Sequence, residues 1–239
     1  MLDRLDDYLI GIVIGIRFRP NFSIEDQLGR IVDDILYGKD QFFGPKVFPV
    51  VQTGLNEKVL ANEDTGDSLH ISNSNIVLQL QLGTTFKVND VGSVLEAFEK
   101  QIIKGTMNKH GIRDVARIGL VKRHVMELKD LADSFVDKTI GKTLEGVNDI
   151  NLRFSKKLPV PMSLVKEAVN DYFNAIFNII KKADRDEIFI SVDFQQHFNP
   201  VLSTVQEMNF KNFISEADSF STKRCLPWLK QNYLEGQTV

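Results

Sequence analysis

The chain has 239 residues, of which 43% are hydrophobic and 26% charged, and its formal net charge at pH 7 is −3. That composition excludes a disordered, fibrous or low-complexity chain. The length predicts one large domain or two small ones that share a core. The single cysteine, Cys225, excludes an intramolecular disulfide, and a lone thiol nucleates no zinc site. We therefore expect a reducing, cytoplasmic location and no metal or other cofactor.

No segment is typical of a membrane span or a secretory signal. The most apolar run, residues 8–16, is much shorter than the ~20 residues of a transmembrane helix. The residues before it are net acidic, whereas a secretory signal begins with positive charge. The β-branched residues of this run, with Gly11 and Gly15, favour a buried strand, so we expect no membrane partner.

Hydrophobic periodicity predicts alternating strands and helices in the first half of the chain. In chain order we expect a strand over 8–19, a helix over 24–36, short antiparallel strands within 44–75, a strand over 76–83 and a helix over 91–102.

The second half repeats this mixture, with one segment left open between two structures. We expect a strand over 115–126, a helix over about 128–140, a strand over 149–155, a strand from 188 that Pro200 ends, a helix capped by Thr204 and Glu207, and a last helical stretch over 226–233. Residues 164–182 fit a helix and a strand equally well, and we favour a strand from about residue 171.

These elements predict an α+β fold, a largely antiparallel sheet with helices packed on one face. In both halves a strand with glutamines on its polar side (Gln79 and Gln81; Gln195) leads into an amphipathic helix. That recurrence is consistent with two related halves. We place an N-terminal α+β half at 1–110 and a C-terminal α+β half at 111–239, sharing one core or a close interface.

Charge is distributed unevenly along the chain. Residues 1–100 carry a net charge of −6, whereas the 24 residues 101–124 carry +5. Such a basic stretch binds phosphates of nucleic acid, or it meets the acidic surface of residues 1–100 in the same molecule or in a partner. We favour the second interpretation and leave open whether the stretch is exposed. Its candidate binding residues are Lys104, Lys109, Arg113, Arg117, Lys122, Arg123 and His124.

A second candidate surface lies on the late strand. Ser191, Asp193, Gln195 and His197 alternate with apolar residues, so they share one side of that strand in steps of about 7 Å. A ligand could contact several of them at once. The alternative is the solvent-facing side of an antiparallel sheet, which we favour, since Asp193 and His197 are too far apart to bond along a straight strand.

No catalytic or metal-binding pattern stands out. The four histidines are far apart in sequence and lack the spacing of a zinc site. Cys225 lies beside Arg224, which would lower the pKa of its thiol, but no base accompanies it. We therefore predict no catalytic residues and no metal ligands.

The chain resembles a sporadically distributed, uncharacterised family of prokaryotic proteins of similar length. The resemblance rests on residues 10–18 (IGIVIGIRF), on Arg117–Leu120 (RIGL) and on a late strand ending in Val192–Phe194, in that order. The family's mid-chain motif continues with Arg-Tyr, where this chain has Val121 and Lys122. The resemblance implies no activity and no site residues; the family's patchy distribution implies an accessory system, such as a mobile element or antiviral defence.

We expect a non-enzymatic binding module that associates with itself or with another protein in such a system. Nine of the 17 phenylalanines lie between residues 154 and 220, and phenylalanine contributes strongly both to cores and to subunit interfaces. One alternative is a nucleic-acid-binding protein that uses the basic stretch 104–124. Another is a metal-dependent hydrolase or nuclease that uses Asp193 and His197.

Overall fold

Nine strands form one sheet in a computed structural model that describes residues 4–127, 149–161, 170–182 and 187–231. The strands are β1 (Leu9–Phe18), β2 (Val50–Thr53), β3 (Glu57–Asn62), β4 (Asp67–Ser72), β5 (Asn75–Gln81), β6 (Val115–Glu127), β7 (Ile150–Pro159), β8 (Tyr172–Lys181) and β9 (Glu187–Leu202). The predicted helix over about 128–140 lies outside the described residues.

Helices follow β1, β5 and β9 along the chain. They are α1 (Leu28–Tyr37), α2 (Val91–Ala97), α3 (Phe210–Phe220) and α4 (Leu226–Leu229). A π-helical segment, Phe98–Met107, continues α2, and another, Ser221–Cys225, joins α3 to α4. The side chain of Gln101 ties the first of these segments to its surroundings, because its amide donates to the carbonyl of Ile35 at 2.7 Å and accepts from the backbone N–H of Phe43 at 3.1 Å.

The strand order is β2-β3-β4-β5-β1-β6-β9-β8-β7, and every neighbouring pair is antiparallel. The predicted α+β class with a largely antiparallel sheet is therefore confirmed. β1 and β6 pair directly, so the sheet is continuous from residue 50 at one edge to residue 159 at the other. β1 also pairs with β5, and β6 also pairs with β9.

The main hydrophobic core lies against one face of the sheet. Ile12, Ile14 and Ile16 of β1 are buried there with Ile35 of α1 and Phe213 of α3. A second, smaller cluster joins the ends of β6, β8 and β9 to α4 and contains Cys225. Strand residues alternate in side-chain direction, so the residues between these buried positions point to the opposite face.

The structure describes residues 170–182 of the segment left open, whereas residues 164–169 lie outside the described residues, and it moves the predicted ends of two other elements. Residues 172–181 are strand β8, as favoured. β9 continues past Pro200 because a register shift against β6 accommodates extra residues there, the position in a sheet that tolerates proline. The last long helix begins at Phe210, capped by Asn209, whose side chain accepts from the N–H of Asn212; Thr204 instead contacts Glu207 in a short 3-10 turn.

Candidate functional site

The face of the sheet opposite the main core carries four rows of side chains that cross six strands, β5, β1, β6, β9, β8 and β7. Cross-strand partners lie on the same face, so the strand registers define each row. We call these rows the polar face. Row 1 is Asn75, Arg17, Arg117, His197, Tyr172, Pro159; row 2 is Val77, Gly15, Gly119, Gln195, Asn174, Lys157; row 3 is Gln79, Val13, Val121, Asp193, Ile176, Ser155; row 4 is Gln81, Gly11, Arg123, Ser191, Asn178, Arg153.

Positive charge predominates on the polar face. The four rows hold five cations, namely Arg17, Arg117, Arg123, Arg153 and Lys157, and one carboxylate, Asp193. Arg17 and Arg117 are direct cross-strand partners at the middle of the sheet. Glu57, Glu127 and Glu187 lie on the same side of the sheet, but beyond the four rows.

A depression of about 500 Å³ lies at the centre of this face. Gly15 and Gly119 are cross-strand partners in its lining, with Arg17 and Arg117 in the next row. A methyl group on Gly15 would lie 3.1 Å from the side chain of Val77, whereas one on Gly119 would meet no atom closer than 3.5 Å. The absence of side chains at both positions lets a ligand approach the backbone of the central strand pair.

Hydrogen bonds connect the polar residues of β9 that the sequence singled out. The side-chain amide of Gln195 donates to Asp193 Oδ2 at 2.7 Å, and its oxygen lies 3.2 Å from His197 Nε2 and accepts from Arg117 at 3.4 Å. Asp193 and His197 are therefore linked through Gln195. Ser191 lies on the same side of β9 as these residues, in row 4, as the alternation predicts.

The ring of His197 stacks on the ring of Tyr172, with centroids 4.6 Å apart and planes inclined by 5°. The ammonium group of Lys157 lies 3.9 Å from the centroid of the same tyrosine ring. These three side chains come from β9, β8 and β7, so the register brings together residues that are up to 40 positions apart. Among the described residues, the ammonium group of Lys157 forms no ion pair with a carboxylate.

Burial and charge shift the titration of two groups on this face. Burial raises the pKa of Asp193, and the hydrogen bond from Gln195 and the charges of Arg117 and Arg153 only partly oppose it. Burial lowers the pKa of His197, and the positive charges of Arg117 and Lys157 lower it further. Both effects favour the uncharged ring of His197.

The structure does not gather the basic stretch 104–124 into one surface. Lys104 pairs with Glu99 at 2.8 Å, and Lys109 pairs with Asp34 at 2.6 Å. Arg113 is exposed in the turn before β6. Only Arg117 and Arg123 of the stretch lie on the polar face, because Lys122 and His124 occupy the alternate positions of β6 and point to the other side of the sheet.

Lys122 is the centre of a buried ion cluster. Its side chain is 7% exposed, and its ammonium group lies 2.9 Å from a carboxylate oxygen of Asp6 and 2.9 Å from one of Asp218. Burial alone would lower the pKa of Lys122, but the two carboxylates outweigh it and raise the pKa. Burial would raise the pKa of Asp6, but the ring of His124, whose Nε2 lies 3.6 Å from Asp6 Oδ1, and the charge of Lys122 hold it well below its usual range.

A scan of the chain against protein-family models finds no match, and a search of curated proteins finds no relative. The resemblance to the sporadic prokaryotic family stays a prediction that rests on its short motifs. None of the described helices has the length and hydropathy of a membrane span, and no group of three metal-ligating side chains occurs among the described residues.

Sequence reasoning missed several members of the polar face. Arg17, Arg153, Lys157 and Tyr172 are not among the candidate binding residues that the sequence predicts. Each of them occupies the polar phase of an alternating strand, which is the available signal. The strand order that aligns those phases into rows depends on long-range pairing, which alternation does not specify.

Proposed function

We propose that the chain is a binding module whose polar face holds nucleic acid through its phosphate groups. The observation that carries the proposal is the state of the five cations. Within the described residues none of them forms an ion pair with a carboxylate, and the four rows that they share contain a single carboxylate, Asp193. Cations that form no ion pair within the protein remain free to neutralise an external polyanion and to release its counterions.

The extent of the patch supports several contacts at once. Arg117 and Arg123 are six positions apart on β6, which corresponds to about 20 Å, and Arg153 lies three strands from Arg123, about 14 Å away. A duplex carries one phosphate charge per ~1.7 Å of its axis, so a length of about 20 Å offers roughly a dozen charges. The length spanned by the cations therefore contains more phosphate charges than the five cations can neutralise.

The polar groups between the cations fit the rest of a nucleic acid. Asn75, Gln79 and Asn174 are amides that both donate and accept hydrogen bonds, as base edges and sugars require. Gly15 and Gly119 leave the centre of the face low, which favours close approach of a broad ligand. Tyr172 has its ring flanked by His197 and Lys157, so it offers no free stacking surface, and we place the contacts on the phosphate backbone.

The same proposal includes an arrangement of helices on one side of the sheet and two related halves. Residues of α1, α2 and α3 belong to one core with the buried residues of β1 and β6, which supports a helical side and a binding side. β1 lies beside the last strand of its own half, and β6 does likewise, so the two first strands meet at the centre.

The test is the binding of a fluorescently labelled 20-base-pair DNA, with single-stranded DNA and RNA of equal length, measured by anisotropy at 50 and 200 mM salt. With three to five phosphate contacts, the affinity for the duplex falls by about 40-fold to 500-fold between the two salt concentrations. In Arg17→Gln/Arg117→Gln the salt dependence becomes shallower by nearly two contacts, and binding weakens.

The matched control is Lys104→Gln/Lys109→Gln, which removes the same charge from lysines that already have carboxylate partners. We expect it to bind like the wild type. Equal losses in both double variants would refute the assignment to the polar face, since they would report net charge alone. Absence of binding to all three nucleic acids at 50 mM salt would refute the proposed function. Association of the chain with itself or with another protein would not rescue it.

A further inference from the structure

The hydrogen-bond chain on β9 fixes which nitrogen of His197 carries its proton. A carboxylate such as Asp193 accepts hydrogen bonds, and a guanidinium such as Arg117 only donates them. Gln195 lies between them, so its NH2 group faces Asp193 and its oxygen faces Arg117. That oxygen is also the partner of His197 Nε2, at 3.2 Å.

Because the oxygen of Gln195 can only accept a hydrogen bond, the neutral ring of His197 carries its proton on Nε2, and this N–H group donates the hydrogen bond. The other ring nitrogen, Nδ1, is then an unprotonated acceptor. The surroundings of the ring keep it so: Arg117 of β6 and Lys157 of β7 add positive charge, and Tyr172 of β8 covers one ring face. Asp193, on the same strand as His197, is the one carboxylate of the four rows, and the side chain of Gln195 lies between the two.

An anion changes this balance. A phosphate placed against Arg117 and Lys157 cancels the charges that disfavour the imidazolium form, and its oxygens supply an acceptor for a new N–H group. The second proton on the ring does not disturb the existing bond, since Nε2 continues to donate to Gln195. The arrangement is therefore ready for protonation at one atom without rearrangement of its neighbours.

We propose that His197 is the proton-linked contact of the polar face: when a phosphodiester group binds against Arg117 and Lys157, Nδ1 takes up one proton from solvent, and the new N–H group donates a hydrogen bond to a phosphate oxygen. This inference rests on the proposed function and adds its regulation by pH. Affinity for nucleic acid is then highest in acid, declines as the pH rises through the interval between the free and bound pKa values of His197, and is constant above that interval.

The experiment measures binding of the same 20-base-pair DNA at pH 5.5, 6.5, 7.5 and 8.5 and at constant ionic strength. Each unit by which binding raises the pKa of His197 strengthens binding tenfold between the two pH limits. We expect a gain of about tenfold at pH 5.5 relative to pH 8.5 for the wild type and no dependence for His197→Gln. Calorimetry in two buffers of different ionisation enthalpy gives the number of protons taken up, and a tenfold effect corresponds to about 0.5 proton at the pH midway between the free and bound pKa values of His197.

His70 provides the matched control, since it lies on β4 on the same side of the sheet, two strands from β1 and outside the charged centre. His70→Gln should retain the full pH dependence. NMR titration of the ring proton of His197, without and with DNA, checks the assignment independently of affinity, and its pKa should rise on binding.

The outcomes separate the two proposals. Salt-dependent binding that is equally strong at all four pH values, or a His197 pKa that DNA leaves unchanged, overturns the role of His197 and leaves the proposed function standing. Absence of binding at every pH overturns the proposed function itself. Loss of the pH dependence in His70→Gln also contradicts the inference, because it would place the proton uptake elsewhere.

Discussion

Replacing Asp6 with asparagine removes one of the two carboxylates that hold the buried ammonium group of Lys122. Both carboxylates lie 2.9 Å from that nitrogen, while their own side chains are 31% and 50% exposed for Asp6 and Asp218. Leaving a buried charged group without any ion-pair partner lowers the free energy of unfolding by about 3–5 kcal/mol. Since Asp218 remains in place, we expect Asp6→Asn to lower the free energy of unfolding by about 2 kcal/mol and the Tm by about 4–8 °C.

The assay is denaturant unfolding at pH 7, followed by the fluorescence of Trp228, the single tryptophan, which contacts Phe154 and Phe177. Asp40→Asn is the control, because its partner Lys100 is exposed and such surface pairs contribute less than about 1 kcal/mol. Equal losses for the two variants would refute the importance of burial at Lys122.

Acid provides a second check on the same carboxyl group. The pKa of Asp6 is lower in the folded protein than its value of about 3.9 in an unfolded chain. Its contribution is therefore complete above that value and is lost as the pH falls towards the folded pKa. The difference in stability between the wild type and Asp6→Asn should narrow below about pH 4.

Three further predictions concern packing and reactivity. Gly11→Ala should cost about 1–3 kcal/mol in unfolding experiments, because the new methyl group would lie 2.9 Å from a backbone carbonyl oxygen, whereas Gly119→Ala, with its nearest neighbour at 3.5 Å, should be tolerated. Gln101→Leu should cost about 2–3 kcal/mol by leaving two buried backbone groups without partners, among them the carbonyl of Ile35; an unchanged denaturation midpoint would contradict this. Burial raises the pKa of Cys225 to about 12, so iodoacetamide at pH 8 should alkylate it only after unfolding, and rapid labelling of the native protein would show that the thiol is accessible.

Much of the sheet follows from alternation along single strands. β1 and β9 show a clean apolar phase, and their polar phases predicted that Ser191, Asp193, Gln195 and His197 share one side. The basic stretch was harder to interpret, because consecutive residues of one strand point to opposite faces. Arg123 therefore lies on the polar face, while its neighbour Lys122 is buried with Asp6.

Contacts between distant strands were beyond what local pattern encodes. The stack of His197 on Tyr172 and the facing pair Arg17–Arg117 depend on which strands are neighbours, and the order β5-β1-β6-β9 is set by global packing. The ion pair of Lys109 with Asp34 likewise needs the end of the π-helical segment to meet α1. Lys104 instead pairs with Glu99 of its own π-helical segment. Charge counting predicted an acidic counterpart in residues 1–100 without identifying Glu99, Asp34 or Asp6.

The central position of β1 has a consequence for synthesis of the chain. β1 leaves the ribosome roughly 100 residues before β6, its partner on one side. During that interval one edge of its backbone has no strand to pair with, although its other partner, β5, is already made. A nascent chain stopped at residue 110 therefore presents an apolar strand edge that can recruit another chain. Translation through residue 127 is what closes the middle of the sheet.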